Sequence, residues 1–126
     1  MKSNYVAICS ALLLLISADV FAGSVSRAQF TTEMNGREPT DMIISLSNDI
    51  HRVVYFTELS DLAGHKVTHQ WLYNGNIMYD KTFDVGGNRW RVWSSKTLQP
   101  GWTGRWTVKT LDEDGSELSS QSFEYQ

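Results

Sequence analysis

The sequence predicts an all-β sandwich, and two observations support this fold class. Turn-forming pairs such as Asn-Gly, Gly-Gly, Pro-Gly and Asp-Gly recur at short intervals, and the runs between them are rich in Val, Ile, Thr, Tyr, Phe and Trp. Four of the five tryptophans lie between Trp90 and Trp106, and aromatic side chains fit a pleated, half-buried surface. Because no segment sustains a helical period, we expect an antiparallel β-sandwich of the immunoglobulin or fibronectin-III type.

The first element is an N-terminal signal peptide, residues 1–22. It contains Lys2, an apolar run over residues 6–16 and small residues before Gly23, which predicts cleavage between residues 22 and 23. This apolar run is shorter than the roughly 20 residues of a transmembrane helix, which favours a cleaved signal peptide over a membrane anchor. We therefore expect no stable membrane insertion of the mature chain. Cys9 is the only cysteine and lies inside this run. The mature chain, residues 23–126, is therefore expected to be a single periplasmic or secreted domain without disulfides.

Eight strands are predicted in the mature chain, each bounded by turn residues. They lie near residues 25–33, 42–47, 52–59, 66–73, 77–85, 89–96, 103–111 and 117–125. The stretch from Asn35 to Asp41 is expected to be an exposed loop. Alternation of apolar and polar residues places Trp71, Trp106 and Phe123 in the core.

Three connections determine the predicted strand pairing. A bulged three-residue loop at 73–75 is expected to set Trp71 opposite Ile77 and to bury Ile77, Tyr79, Phe83 and Val85. A tight turn at Gly86-Gly87 is expected to pair the strands on either side. In that hairpin Phe83 faces Trp90, Asp84 faces Arg89, Thr82 faces Arg91 and Asp80 faces Trp93. A hairpin at Pro100-Gly101 would make strands 89–96 and 103–111 neighbours.

Composition argues against nucleic-acid binding. The net charge is −3 and the sequence pI is about 5.5, without a basic cluster. The same lack of a polybasic cluster or a long amphipathic helix disfavours binding to a membrane surface.

The sequence predicts no metal, no cofactor and no catalytic residue. His65 and His69 would lie roughly 13 Å apart along a strand, and His51 lies on another segment. We expect His69 to be a core residue beside Trp71, hydrogen-bonded to the backbone. The Ser94-Ser95 pair has no histidine near it in sequence and no Gly-x-Ser-x-Gly motif surrounds it, so we do not expect an enzyme.

One set of side chains is a candidate ligand-binding face: Arg91, Trp93, Lys96 and Arg105, within an outward basic strip that also contains Arg89 and Lys109. If the two strands are adjacent, these cations surround an indole that could stack on a sugar or bind an acidic partner. The alternative, favoured on general grounds, is that arginine stems cover Trp93 and that the arginines pair with carboxylates. The carboxylates proposed for that pairing are Asp80, Asp84 and Glu124.

Several segments resemble a small bacterial family known only as a domain of unknown function. They are Arg27-Ala28-Gln29-Phe30-Thr31, Arg37-Glu38-Pro39, Phe56-Thr57-Glu58-Leu59, His69-x-Trp71, Trp90-Arg91-Val92-Trp93-Ser94-Ser95-Lys96 and Gly101-Trp102-Thr103-Gly104-Arg105-Trp106. The resemblance implies an envelope-associated, immunoglobulin-like β domain, sometimes part of longer membrane proteins. It implies no activity, ligand or cofactor.

We therefore expect an exported, non-catalytic binding or accessory module of the bacterial cell envelope, whose partner is an envelope protein or a glycan. One alternative is a carbohydrate-binding module that uses the Trp/Arg face. A second is a scaffold that associates through a β edge. A small hydrolase would require convergent polar groups in one deep pocket.

Overall fold

The computed structural model describes residues 23–126, and the predicted signal peptide, residues 1–22, lies outside them. The strands in chain order are β1 (Ser24–Thr31), β2 (Met34–Asn35), β3 (Glu38–Pro39), β4 (Ser45–Leu46), β5 (Arg52–Ser60), β6 (Lys66–Tyr73), β7 (Asn76–Asp84), β8 (Arg89–Thr97), β9 (Gly104–Leu111) and β10 (Glu117–Tyr125). Each of the eight predicted strands has a counterpart here. The stretch over residues 35–41 is largely exposed, as expected, but it is not an irregular loop, because β2 and β3 form a short hairpin there.

The long strands form two sheets, which confirms the predicted fold class. One sheet has the order β1-β5-β8 and the other β4-β10-β9-β6-β7. Every pairing within them is antiparallel except that of β4 with β10. Among the long strands, the first, second and fifth share one sheet and the third, fourth, sixth and seventh share the other. The constant-type immunoglobulin sandwich has the same division except that its fourth strand lies with the first, second and fifth, whereas here the fourth long strand, β7, pairs with the third, β6.

The core between the sheets contains two apolar clusters. The larger includes Trp71 and Trp106, and the smaller is built around Leu59, Val67 and Val92. Along β5, Thr57 lies between residues of the two clusters, and along β6, His69 does. A layer of buried polar side chains therefore separates the two apolar regions.

The β6–β7 hairpin differs from the prediction in its register. Its turn has only two residues, Asn74 and Gly75, with φ of 51° and 80°. Because both residues adopt positive φ, the turn has the backbone of a type I′ hairpin. The extra residue lies in β7 instead, where Met78 has no partner on β6. Trp71 therefore faces Tyr79 and not Ile77.

This bulge changes which side chains of β7 reach the core. Phe83 and Val85 pack inward as predicted, but Ile77 is 59% exposed and Tyr79 38% exposed. The prediction that Ile77 and Tyr79 are buried is therefore wrong. β7 is an edge strand, and the bulge turns Ile77 outward beside Leu72.

The predicted hairpin at Gly86-Gly87 is also wrong, because β7 and β8 belong to different sheets. Trp93 pairs with Phe56 and Arg91 with Glu58, both on β5. A Cβ atom at Gly86 would lie 2.8 Å from the Trp90 ring, so the glycine allows the crossing chain to pack directly on the indole. The connection through Pro100-Gly101 likewise joins β8 to a strand of the other sheet.

Candidate binding surface

The four residues of the predicted ligand-binding face do not form one surface. Arg91 and Trp93 lie on the outer side of the three-stranded sheet, whereas Arg105 lies on the outer side of the five-stranded sheet. Lys96 lies on the inward side of β8, and its Nζ is 5.4 Å from the centroid of the Trp102 ring. The expected adjacency of strands 89–96 and 103–111 is therefore wrong, and the thickness of the sandwich separates these side chains.

The outer face of the three-stranded sheet is covered near its centre. Tyr55 and Thr57 point into the core, so Val54 and Phe56 on the same strand point outward, yet they are only 1% and 0% exposed. The Arg27 guanidinium lies 4.9 Å from the centroid of the Phe56 ring. This face consequently offers little apolar surface to a ligand.

Ion pairs connect the β2–β3 hairpin to that face. Glu38 on β3 accepts hydrogen bonds from Arg27 and Arg91, each with an N···O distance of 2.8 Å. These two hydrogen bonds lower the pKa of Glu38 to about 2. Glu58 pairs with Arg27 and Arg89. The arginines of this face are thus paired with carboxylates, as the alternative interpretation predicted, but with Glu38 and Glu58 and not with Asp80 or Asp84. The third predicted partner, Glu124, does pair with an arginine, which is Arg105 on the other sheet.

His69 on β6 bridges the two sheets inside the core. Its Nε2 lies 2.9 Å from Thr57 Oγ1 on β5, and its Nδ1 lies 2.8 Å from Ser94 Oγ on β8. Trp71 Nε1 donates a third hydrogen bond to Ser94 Oγ at 3.0 Å. His69 is buried as predicted, but the expected backbone partner is wrong, because two side-chain hydroxyls take that role.

Burial determines both the protonation state and the accessibility of the His69 imidazole. It lowers the pKa of His69 to about 3, so the imidazole is neutral near pH 7. His69 is 0% exposed and Ser94 only 6% exposed. A hydroxyl beside an imidazole resembles a nucleophile and its base, but in this conformation no substrate can reach it. The hydrogen bonds instead satisfy polar groups in an otherwise apolar interior.

The outer face of the five-stranded sheet is open. A groove of about 440 Å³ lies against the end of β6, and a second of about 370 Å³ lies against its beginning. The first is lined by Leu72, Asn74, Gly75, Arg105, Thr107 and Lys109. The second is lined by Lys66, Thr68, Gln70, Asp80, Thr82, Leu111, Asp112, Glu113 and Gly115. Of the predicted site residues, only Arg105 contributes to a groove.

Sequence analysis did not identify this face, because its residues come from three strands and two turns. Arg105 pairs with Glu124 and Lys109 with Glu117, at N···O distances of 3.1 and 3.6 Å. These are exposed ion pairs, which contribute little to stability and can exchange partners.

The histidines outside the core do not converge on a common point. His65 Nδ1 lies 2.9 Å from Glu113 Oε1, and His51 is exposed. Within residues 23–126, no group of three His, Cys, Asp or Glu residues could hold a metal ion. The same range contains no helix long and apolar enough to span a bilayer.

Residues 64–125 match the model of a family described as a protein of unknown function, DUF2914. No curated protein matches the chain. The matched range begins just before β6, ends with β10 and contains all three tryptophan motifs, whereas the resembling segments from Arg27 to Leu59 precede it. The predicted resemblance to a family of unknown function is confirmed for residues 64–125, which match the DUF2914 model.

Proposed function

We propose that this protein is an exported, non-catalytic binding module of the bacterial cell envelope, and that it binds its partner through the outer face of the five-stranded sheet. The observation that carries the proposal is the contrast between the two outer faces. The three-stranded face is covered by the β2–β3 hairpin and its ion pairs, while the five-stranded face bears two open grooves. Concave surfaces with a few polar groups are the usual places for ligands.

The burial of the histidine layer supports a non-catalytic role. Ser94 and His69 are the two side chains whose contact most resembles catalytic machinery, and both are enclosed between the sheets. The grooves themselves lie on the opposite side of β6 from His69. A binding role requires neither of these side chains to reach a ligand.

The proposal moves the binding surface away from the Trp/Arg face. A carbohydrate-binding module built on Arg91 and Trp93 is less well supported, because Arg91 is engaged by Glu38. Association through the edge of β7 is opposed by Lys81. This residue is on the inward side of the edge strand, opposite His69, and inward-pointing charges hinder edge-to-edge pairing.

Site-specific photo-crosslinking tests the proposed surface. A benzophenone amino acid replaces Thr82, which lines the second groove, or Thr40, an exposed threonine just after the β2–β3 hairpin that covers the three-stranded sheet. In intact cells, we expect a specific crosslinked product from position 82 and none from position 40. Equal crosslinking from both positions, or crosslinking from position 40 alone, would overturn the proposal.

A further inference from the structure

We infer that the ligand of the five-stranded face is an extended polypeptide segment of about six to eight residues, with basic side chains at one end, polar ones in the middle and aliphatic and acidic ones at the other end. The inference rests on the proposed function and specifies the partner of the same surface. It follows from the order in which side chains occur along β6, β7 and β9.

The two grooves join into one trough along β6. Lys66, Thr68 and Gln70 form the floor of one groove, and Leu72, the next outward residue, forms the floor of the other. Gln70 also pairs with Lys109, which lines the neighbouring groove. From Lys66 to Leu72 the strand rises about 20 Å, which matches about six residues of extended chain.

The charges of the trough change sign along its length. The end near the start of β6 carries Asp112 and Glu113, with Lys66 paired to Asp84 beside them. In the middle, Asp80 and Lys109 flank Gln70 from opposite sides, so their charges offset each other. The end near the β6–β7 turn carries Arg105. A ligand with one sign of charge would meet repulsion at one end, whereas a ligand with opposite charges at its two ends is complementary to both.

The section of the trough next to its basic end is aliphatic. Leu72 faces outward and pairs with the exposed Ile77 on one side and with Thr107 on the other. Among residues 23–126, no aromatic side chain lines either groove, so this part of the chain provides no flat ring in the trough on which a pyranose could stack. Aliphatic side chains of an extended peptide fit this section better than a sugar does.

Synthetic peptides of about eight residues test the inference by NMR titration of the isotopically labelled protein at low ionic strength. One peptide has lysines at one end, serines in the middle, and leucine and glutamates at the other end. Two controls carry only lysines or only glutamates at the charged positions. We expect the bipolar peptide to bind about tenfold more tightly than either control and to shift resonances of β6, β7 and β9.

Two charge reversals of equal size provide the matched comparison. Lys109→Glu should weaken binding of the bipolar peptide several-fold, while Arg37→Glu, on the exposed β2–β3 turn, should leave it unchanged. Equal affinity for all three peptides, or equal effects of both substitutions, would overturn the inference. If position 82 crosslinks to a glycan and the peptides fail to bind, the inferred ligand is wrong while the proposed surface stands. If position 82 gives no crosslink, the proposed function itself fails.

Discussion

As the pH falls, this protein should first lose stability through His69, at pH values where its Asp and Glu side chains are still ionised. The imidazole is enclosed between the sheets, where burial lowers its pKa from 6.5 to about 3. In the unfolded chain the same group regains an ordinary pKa. Between these two values the unfolded state binds more protons than the folded state, so the free energy of unfolding falls as the pH falls.

The size of the effect follows from the two pKa values. Relative to neutral pH, proton linkage gives a loss of about 2 kcal/mol at pH 5 and about 3 kcal/mol at pH 4. Glu38, whose pKa is lowered to about 2, loses its contribution only as the pH falls below its ordinary value of 4.5. The interval from pH 7 to pH 5 therefore reports mainly on the histidine.

Urea denaturation at several pH values measures this loss, and His69→Gln is the matched variant. Glutamine cannot titrate, so the variant should lose much less stability between pH 7 and pH 5. The exposed His65–Glu113 pair is present in both proteins and cancels in the comparison. NMR of the wild-type imidazole gives an independent reading even if the variant does not fold. A ring that titrates near pH 6.5 in the folded protein, or equal pH dependence of both proteins, would refute the reasoning.

Three further substitutions test the packing. Ser94→Ala leaves the indole and imidazole nitrogens without their shared partner and should cost about 2 kcal/mol in urea denaturation, whereas Ser95→Ala should cost less than about 0.5 kcal/mol. Gly86→Ala places a methyl group against an indole and should cost about 1–3 kcal/mol, while Gly101→Ala, with no atom within 4 Å, should be nearly neutral. Lys81→Val removes the inward charge of the edge strand and should cause self-association in sedimentation velocity. Costs that do not differ within a pair, or a Lys81→Val protein that stays monomeric, would contradict the packing described here.

Local patterns predicted the strands but not their partners. Alternation placed Trp71, His69 and Phe123 inside, and all three are buried. The Gly86-Gly87 pair has the composition of a tight turn, yet it carries the chain across to the other sheet. Which sheet receives β8 depends on contacts with β5, which a local pattern does not encode.

The candidate site was harder to predict for the same reason. The partners of His69 lie 12 and 25 residues away in sequence, so spacing gave no sign of the bridge. The predicted face combined residues of β8 and β9 on the assumption that a Pro-Gly turn joins neighbours. The trough draws on β6, β7, β9 and two turns, and none of its segments carries a recognisable motif.

Hydroxyl-radical footprinting of the protein in intact cells, compared with the purified protein, tests most directly which outer face binds a partner. Leu72 and Ile77 mark the five-stranded face, and Trp93 marks the three-stranded face. The account predicts that oxidation of Leu72 and Ile77 falls in cells while oxidation of Trp93 is unchanged. Protection of Trp93, with Leu72 and Ile77 as reactive as in the purified protein, would contradict it.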